Sequence, residues 1–277
     1  MSDERPWLAV RVEPSADSQT VIDAMFAAGS LGVQEDGQVV VTHFPPGTDL
    51  AEIERAIRSA DPLATITSSL APRSNWNEWR ASVGTHRLGK ITISPPWLAS
   101  ASDSEIEVVI EPAMAFGTGE HATTRGVVRL MQQLSEIPAI VADLGAGSAV
   151  LSICAAKLGA TRVVAIELDH DAIGNAEENI AVNEVSEAVD IIEGDAAVLL
   201  PLIAPVGLVL ANIISSVLIG LLPVIRDSLT SPGNAILSGI LADERSMMLE
   251  VLNLAGWQIV SEDTEEGWWS VLIALPQ

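Results

Sequence analysis

Cysteine is nearly absent. The single Cys154 cannot form an internal disulfide, and no group of Cys and His residues has zinc-ligand spacing, so neither a disulfide scaffold nor a metal site is expected. Lysine is almost as scarce, with Lys90 and Lys157 the whole complement, and 14 basic residues stand against 37 acidic ones for a net charge of −23. A field of that sign repels free nucleic acid and draws in basic proteins, and it equally suits the surface of a protein from a salty cytoplasm. The sequence also lacks a basic N-terminal region followed by a long apolar run, and no apolar stretch approaches the roughly 18 residues that a membrane span requires. A soluble cytoplasmic protein is expected, without metal, membrane partner or direct nucleic-acid binding. Repeats and low-complexity segments are missing too. What is present is 277 residues, 48% of them apolar and 18% charged, enough for packed cores and, at roughly 150 residues per domain, for two of them.

The apolar pattern divides the chain accordingly. From Trp7 to Leu70 it reads strand, helix, strand, strand, helix, strand: an alternating strand over 7–12, helical spacing over 16–28 ending at Gly29, a strand over 38–44, a helix over 49–60 and a strand over 63–70. That order fits a ferredoxin-like α+β domain over 1–70, with a binding or positioning role because it holds no titratable cluster. Residues 71–97, with Trp76, Trp79 and Trp97 among several prolines and a short basic segment, read as a connector containing a short helix and one strand. The rest, 98–277, forms the larger domain. From Pro138 onward near-continuous apolar strands alternate with amphipathic helices, the pattern of a parallel sheet covered on both faces, and the last two strands form an antiparallel hairpin across the polar EDTEEG.

The first strand of that sheet runs into Asp143-Leu144-Gly145-Ala146-Gly147. Glycines just beyond a strand let the chain turn tightly and let a ligand approach bare backbone at a helix N-terminus. Glu167 closes the next strand, where a carboxylate suits the two hydroxyls of a ribose. A dinucleotide fingerprint would place a third glycine at Val150, and Asp143 would face the phosphates, so pyrophosphate is disfavoured. A carboxylate at Asp143 suits instead a ligand carrying an ammonium and a sulfonium, the description of S-adenosylmethionine. Asp195, after the third strand, is placed either to accept from an adenine amino group or to cap a helix.

Two further segments narrow the chemistry. Residues 117–124 pack two glycines, three threonines and His121 into a stretch that makes poor core and poor helix, so a functional loop is expected. Asn212 interrupts an apolar run at the C-terminal end of the fourth strand, the edge at which open α/β sheets bind ligands, or else caps the helix that follows.

Together AFGTGEHATT (115–124), ADLGAGSAVLSICAAKLGA (142–160), LANII (210–214) and LSGIL (237–241) resemble the PrmA-type methyltransferases, which methylate ribosomal protein L-eleven. The resemblance covers essentially the whole chain. It implies a small ferredoxin-like substrate-recognition domain followed by a Rossmann-like, class I S-adenosylmethionine-dependent methyltransferase domain. It also implies cofactor contacts from Phe116, Thr123, Thr124, Gly145, Gly147, Glu167 and Asn212, with Phe116 and its loop lining and covering the pocket. Glu120, Ala122, Ala149 and Glu167 depart from the residues usual in that family; the first adds negative charge at the rim.

The implied activity is transfer of methyl groups to lysine or N-terminal amines of the ribosomal protein, by a monomer. A different basic protein as substrate and a catalytically idle cofactor-binding protein are the alternatives. An in-line displacement asks mainly for alignment of acceptor, methyl and sulfur. A lysine of pKa ~10.4 must also lose a proton, at about 4 to 5 kcal/mol near pH 7. Asn212 and neighbouring carbonyls are placed to accept the remaining amine hydrogens, and His121 is either a candidate base or a loop histidine hydrogen-bonded to backbone. Cys154, within an apolar helix, reads as core.

Overall fold

The computed structural model describes residues 8–15, 18–30, 33–36, 39–44, 47–70, 83–99, 105–111 and 119–276. By its contacts the chain divides into two compact units, residues 1–82 and 83–277.

The first unit runs β1 (Leu8–Glu13), α1 (Ser18–Ala27), β2 (Val33–Asp36), β3 (Val39–Phe44), α2 (Leu50–Ala60), β4 (Thr65–Leu70). Its sheet has the order β2-β3-β1-β4, antiparallel throughout. Alternation along β1 and β3 buries Val10, Val12, Val40 and Phe44, and the four-residue spacing of Ile53 and Ile57 turns one face of α2 into the same core. The Asp49 carboxylate accepts from the Ala51 amide and starts α2.

The second unit begins with a small sheet, β5 (His86–Leu88), β6 (Ile91–Ser94) and β7 (Ile106–Val109), in the order β5-β6-β7. Residues 83–97, which the sequence pattern assigns to a connector, therefore carry two strands, and Leu88, Ile91 and Ile93 join the larger core. Next comes α3 (Ala122–Met131), a helix the sequence pattern misses, since it reads 117–124 as loop. The alternating region follows: β8 (Ile140–Leu144), α4 (Val150–Lys157), β9 (Arg162–Glu167), α5 (His170–Val182), β10 (Val189–Glu193), α6 (Ala196–Ile203), β11 (Val206–Asn212), α7 (Ser215–Ser228), β12 (Leu229–Leu241), α8 (Arg245–Leu254), β13 (Gln258–Glu265) and β14 (Trp268–Ala274).

The seven strands lie in the order β10-β9-β8-β11-β12-β14-β13. Pairs from β10 to β12 are parallel, while β14 is antiparallel to both β12 and β13. On one face α3, α4, α5 and the small sheet bury Val141, Ile153 and Ile180. On the other α6, α7 and α8 bury Leu144, Leu222 and Met248. The polar EDTEEG segment is mostly strand: β13 runs through Glu265, and Glu266 and Gly267, with φ of 50° and 80°, make the two-residue turn. Strand order reverses at β8, so a crevice opens beyond the carboxyl ends of β8 and β11, flanked by β9.

Candidate active site

Three strand ends and one helix start converge on that crevice. Gly145 (φ 68°) and Gly147 (φ 53°) turn the chain from β8 toward α4. A side chain at Gly145 would stand 3.0 Å from Ile213 Cγ1, which is why the turn needs a bare backbone there. The loop's amides are spent internally: those of Gly145 and Ala146 donate to the Ile166 carbonyl at 2.8 and 3.1 Å, and that of Gly147 donates to Glu167 Oε2 at 2.7 Å. A phosphate cradle needs such N–H groups turned toward the ligand. This loop offers none of those three, which accords with a cationic rather than an anionic guest.

Glu167 is held by its surroundings. Oε1 accepts from the amides of Leu168 and Asp169 at 2.8 and 2.9 Å, while Oε2 takes the Gly147 amide. Of the roughly four lone-pair sites of a carboxylate, three are thus engaged and one remains for a hydroxyl donor. Glu167 separates two adjoining cavities. One, of about 380 Å³, is bordered by His121, Thr123, Thr124, Gly147 and Asn212, and the other, of about 270 Å³, by Leu168, Gly194 and Asp195; Gly145, Glu167 and Ile213 belong to both. Asp195 caps α6, its carboxylate accepting from Ala197 N at 2.8 Å, the second of the two roles expected of it, and the same residue borders the smaller cavity.

Asp143 lies elsewhere. Side chains alternate along β8, so Asp143 shares the Val141 face beneath α4 and lines neither cavity. It is fully buried, one oxygen accepting from Ser152 Oγ at 2.6 Å and the other meeting no partner among the described residues. Burial pushes its carboxyl up to about 6, against the Ser152 hydrogen bond. Burial likewise pushes the Cys154 thiol up to about 12, as befits a core residue.

The opposite wall is the start of α3. His121 is its N-cap: Nδ1 accepts from Thr123 N at 3.4 Å and lies 2.7 Å from Thr123 Oγ1. With Nδ1 accepting, the neutral ring carries its proton on Nε2. Burial, aided by the Arg125 charge and opposed by Glu266, holds the His121 pKa below its ordinary value. Thr123 and Thr124 are buried in the first helical turn, and the Thr123 carbonyl accepts from Ser238 Oγ at 3.2 Å. Thr124 Oγ1 and Asn212 Oδ1 are shielded from solvent with no hydrogen-bond partner among the described residues. Phe116 lies outside the described residues. Glu120, expected to add negative charge at the rim, accepts from the Gly84 amide at 2.9 Å and lies 3.0 Å from His86 Nε2. The sequence pattern misses Trp268, which enters the cleft from the hairpin and meets the His121 ring edge-on at 4.8 Å between centroids. No local pattern announces it, because 147 residues separate the two rings in the chain.

Residues 9–275 match the sequence profile of the family described as ribosomal protein L11 methyltransferase (PrmA). The chain belongs to that family. Among its PrmA relatives, the ribosomal protein L11 methyltransferase of Synechococcus sp. (strain RCC307) is 31% identical over 275 residues, covering 96% of this chain and 87% of the relative. That of Myxococcus xanthus (strain DK1622) is 31% identical over 283 residues, covering 95% and 96%. Among solved structures, the ribosomal protein L11 methylase of Lactobacillus delbrueckii subsp. bulgaricus aligns with a TM-score of 0.61 at 27% identity, over 70% of this chain and 99% of that one. PrmA proteins are S-adenosylmethionine-dependent methyltransferases of Rossmann-like fold, and the sheet described above is of that kind. The cleft fits the PrmA cofactor on its own chemistry. The turn at Gly145 leaves room for a ligand against bare backbone, Glu167 keeps a lone pair for a sugar hydroxyl, and the amides of Gly145, Ala146 and Gly147 are already engaged and call for no anion.

Proposed function

We propose that this chain methylates lysine and N-terminal amines of ribosomal protein L11, using S-adenosylmethionine. The observation that carries the reading is Asn212 Oδ1, an acceptor at the C-terminal end of β11 that borders the cleft without a partner among the described residues. A shielded acceptor left unpaired costs about 1 to 3 kcal/mol. An incoming amine relieves that cost by donating an N–H to it, and the hydrogen bond fixes the direction of the nitrogen lone pair.

When bound, S-adenosylmethionine supplies an electrophilic methyl group; the chain supplies alignment. Gly145, Gly147 and Glu167 hold the sugar side, and Asp195 with Leu168 borders the adenine side. Thr123, Thr124 and Phe116 complete the cofactor contacts. Asp143 acts from beneath, through its charge. His121, neutral near pH 7, walls the acceptor end without adding positive charge beside an amine that must lose a proton. The ionisable acceptor is made nucleophilic by desolvation and by the nearby sulfonium charge, both of which depress an amine pKa. The first unit supplies substrate recognition, and the second carries the transfer. The protein acts as a cytoplasmic monomer that does not bind nucleic acid directly. Among the described residues no helix is long and apolar enough to cross a membrane.

Incubation with isotope-labelled S-adenosylmethionine and purified ribosomal protein L11 should label lysines or the N-terminal amine. Absence of label refutes the substrate assignment. Asn212→Ala should lower kcat by about 100-fold or more, on the scale seen when a precisely placed polar group is lost; unchanged labelling removes Asn212 from the site.

A further inference from the structure

Arg125 is out of place by local rules. It sits in the first turn of α3, where the helix dipole disfavours a cation, and it is 7% exposed, where an unpaired guanidinium would be costly. Its partners come from the residue just ahead of the helix and from a turn about 140 residues further along the chain. One nitrogen donates to the Glu120 carbonyl, the group immediately before His121. The others reach Glu265 Oε1, at 3.1 Å from Nε and 2.9 Å from Nη2, and Glu266 Oε2 at 3.0 Å. Glu265 ends β13, and the tight turn at Glu266 and Gly267 leads directly into Trp268. The guanidinium therefore bridges the residue that precedes one ring of the cleft wall and the turn that delivers the other.

We propose that Arg125 is a positioning residue for the acceptor end of the cleft, its planar fork setting the spacing of His121 and Trp268. This inference rests on the methyltransferase reading of the cleft. It assigns to Arg125 the rate of transfer more than the affinity for cofactor, because the bridge touches neither Gly145 nor Glu167, and Thr123 and Thr124 are held by the helix itself and by the Ser238 hydroxyl on the Thr123 carbonyl. Lysine cannot replace it: a single ammonium does not span a backbone carbonyl and two carboxylates at once.

The test compares wild type with Arg125→Lys in protein carrying 5-fluorotryptophan, the Trp268 resonance being assigned by its loss in Trp268→Phe. In Arg125→Lys that resonance should shift, kcat on ribosomal protein L11 should fall by about 10- to 100-fold, as a displacement near 1 Å produces, and the Kd for S-adenosylhomocysteine should move by less than about threefold. An unmoved resonance, or a Kd that weakens as much as kcat, overturns the assignment. Should Arg125→Lys fail to fold, Glu266→Gln removes one arm at an exposed carboxylate; a smaller shift of the same resonance is expected, and none overturns the proposal. If wild type leaves the ribosomal protein unmethylated, the substrate reading fails on its own, while the resonance and the Kd still decide the role of Arg125.

Discussion

Two residues at the end of β8 have opposite relations to the ligand. Gly145 contributes an absence. An added Cβ would meet Ile213 at 3.0 and 3.2 Å with φ at +68°, so Gly145→Ala carries about 1 to 2 kcal/mol of left-handed strain and intrudes on both cavities. Calorimetry should show cofactor affinity at least about tenfold weaker, with a lowered melting temperature. Asp143 contributes charge from below. Its folded pKa, about 6, lies above the ordinary carboxylate value of 3.8, so the folded protein binds the proton more tightly. Wild-type stability therefore declines as pH rises from 3.8 through 6, and Asp143→Asn should raise the melting temperature more at pH 8 than at pH 5. A bound cation favours the ionised carboxylate, so wild-type affinity for S-adenosylmethionine should increase with pH up to about 6 and then level off. Asp143→Asn should flatten that profile. His121 gains positive charge on protonation and pushes affinity the same way, so the profile of His121→Asn is needed beside it. A profile unchanged by Asp143→Asn would deny that carboxylate any part in binding.

The elements of the parallel sheet are written plainly in the chain, because strands buried on both faces must be apolar nearly throughout, as VGLVLAN is at β11. The glycine turn, Glu167 and Asn212 are legible for a related reason: a parallel α/β sheet places strand ends at the site, and strand ends can be found by pattern. Elements whose burial is one-sided or whose partners are remote escape. β2 is short and polar, so the pattern expects a strand there without placing it, and of β13 only the polar end is missed, because EDTE alternates exposed and half-buried residues as edge strands do. α3 hides because its first turn carries threonines. Ser238, hydrogen-bonded to Ser270 Oγ at 2.6 Å as well as to the Thr123 carbonyl, joins that turn to the sheet. The orientation of Asp143 follows from strand alternation once Val141 is known to face α4, but spacing from the glycines alone does not supply it. The same packing makes a forecast for α3 as an element. A Cβ at Gly126 would meet Ser270 Oγ at 2.5 Å and Ser270 Cβ at 3.1 Å. Helix propensity alone would make Gly126→Ala stabilising by about 1 kcal/mol. Overpacking between α3 and β14 should reverse the sign and cost about 1 to 3 kcal/mol in denaturant unfolding; a stabilised variant would show that α3 can lift from the sheet without penalty.

At the scale of the whole molecule, charge is the property that fold and site leave unexplained. With 37 acidic and 14 basic residues, the net −23 exceeds anything the cleft needs. A cationic substrate would be drawn in by that field, and the attraction would act on encounter, hence on kcat/KM, leaving kcat to the geometry around Asn212. Screening separates this from simple adaptation to a saline interior. The Debye length falls from about 10 Å at 0.1 M salt to about 3 Å at 1 M. If the charge steers a basic protein, kcat/KM on ribosomal protein L11 should fall by about tenfold or more between roughly 0.05 and 0.5 M salt while kcat holds, because long-range attraction is lost and the aligned complex is not. Self-repulsion among the carboxylates is screened over the same range, so the melting temperature should rise as kcat/KM falls. If kcat/KM instead stays level or climbs along with the melting temperature, the acidic surface answers to the solvent, and substrate selection must reside in the first unit and the walls of the cleft.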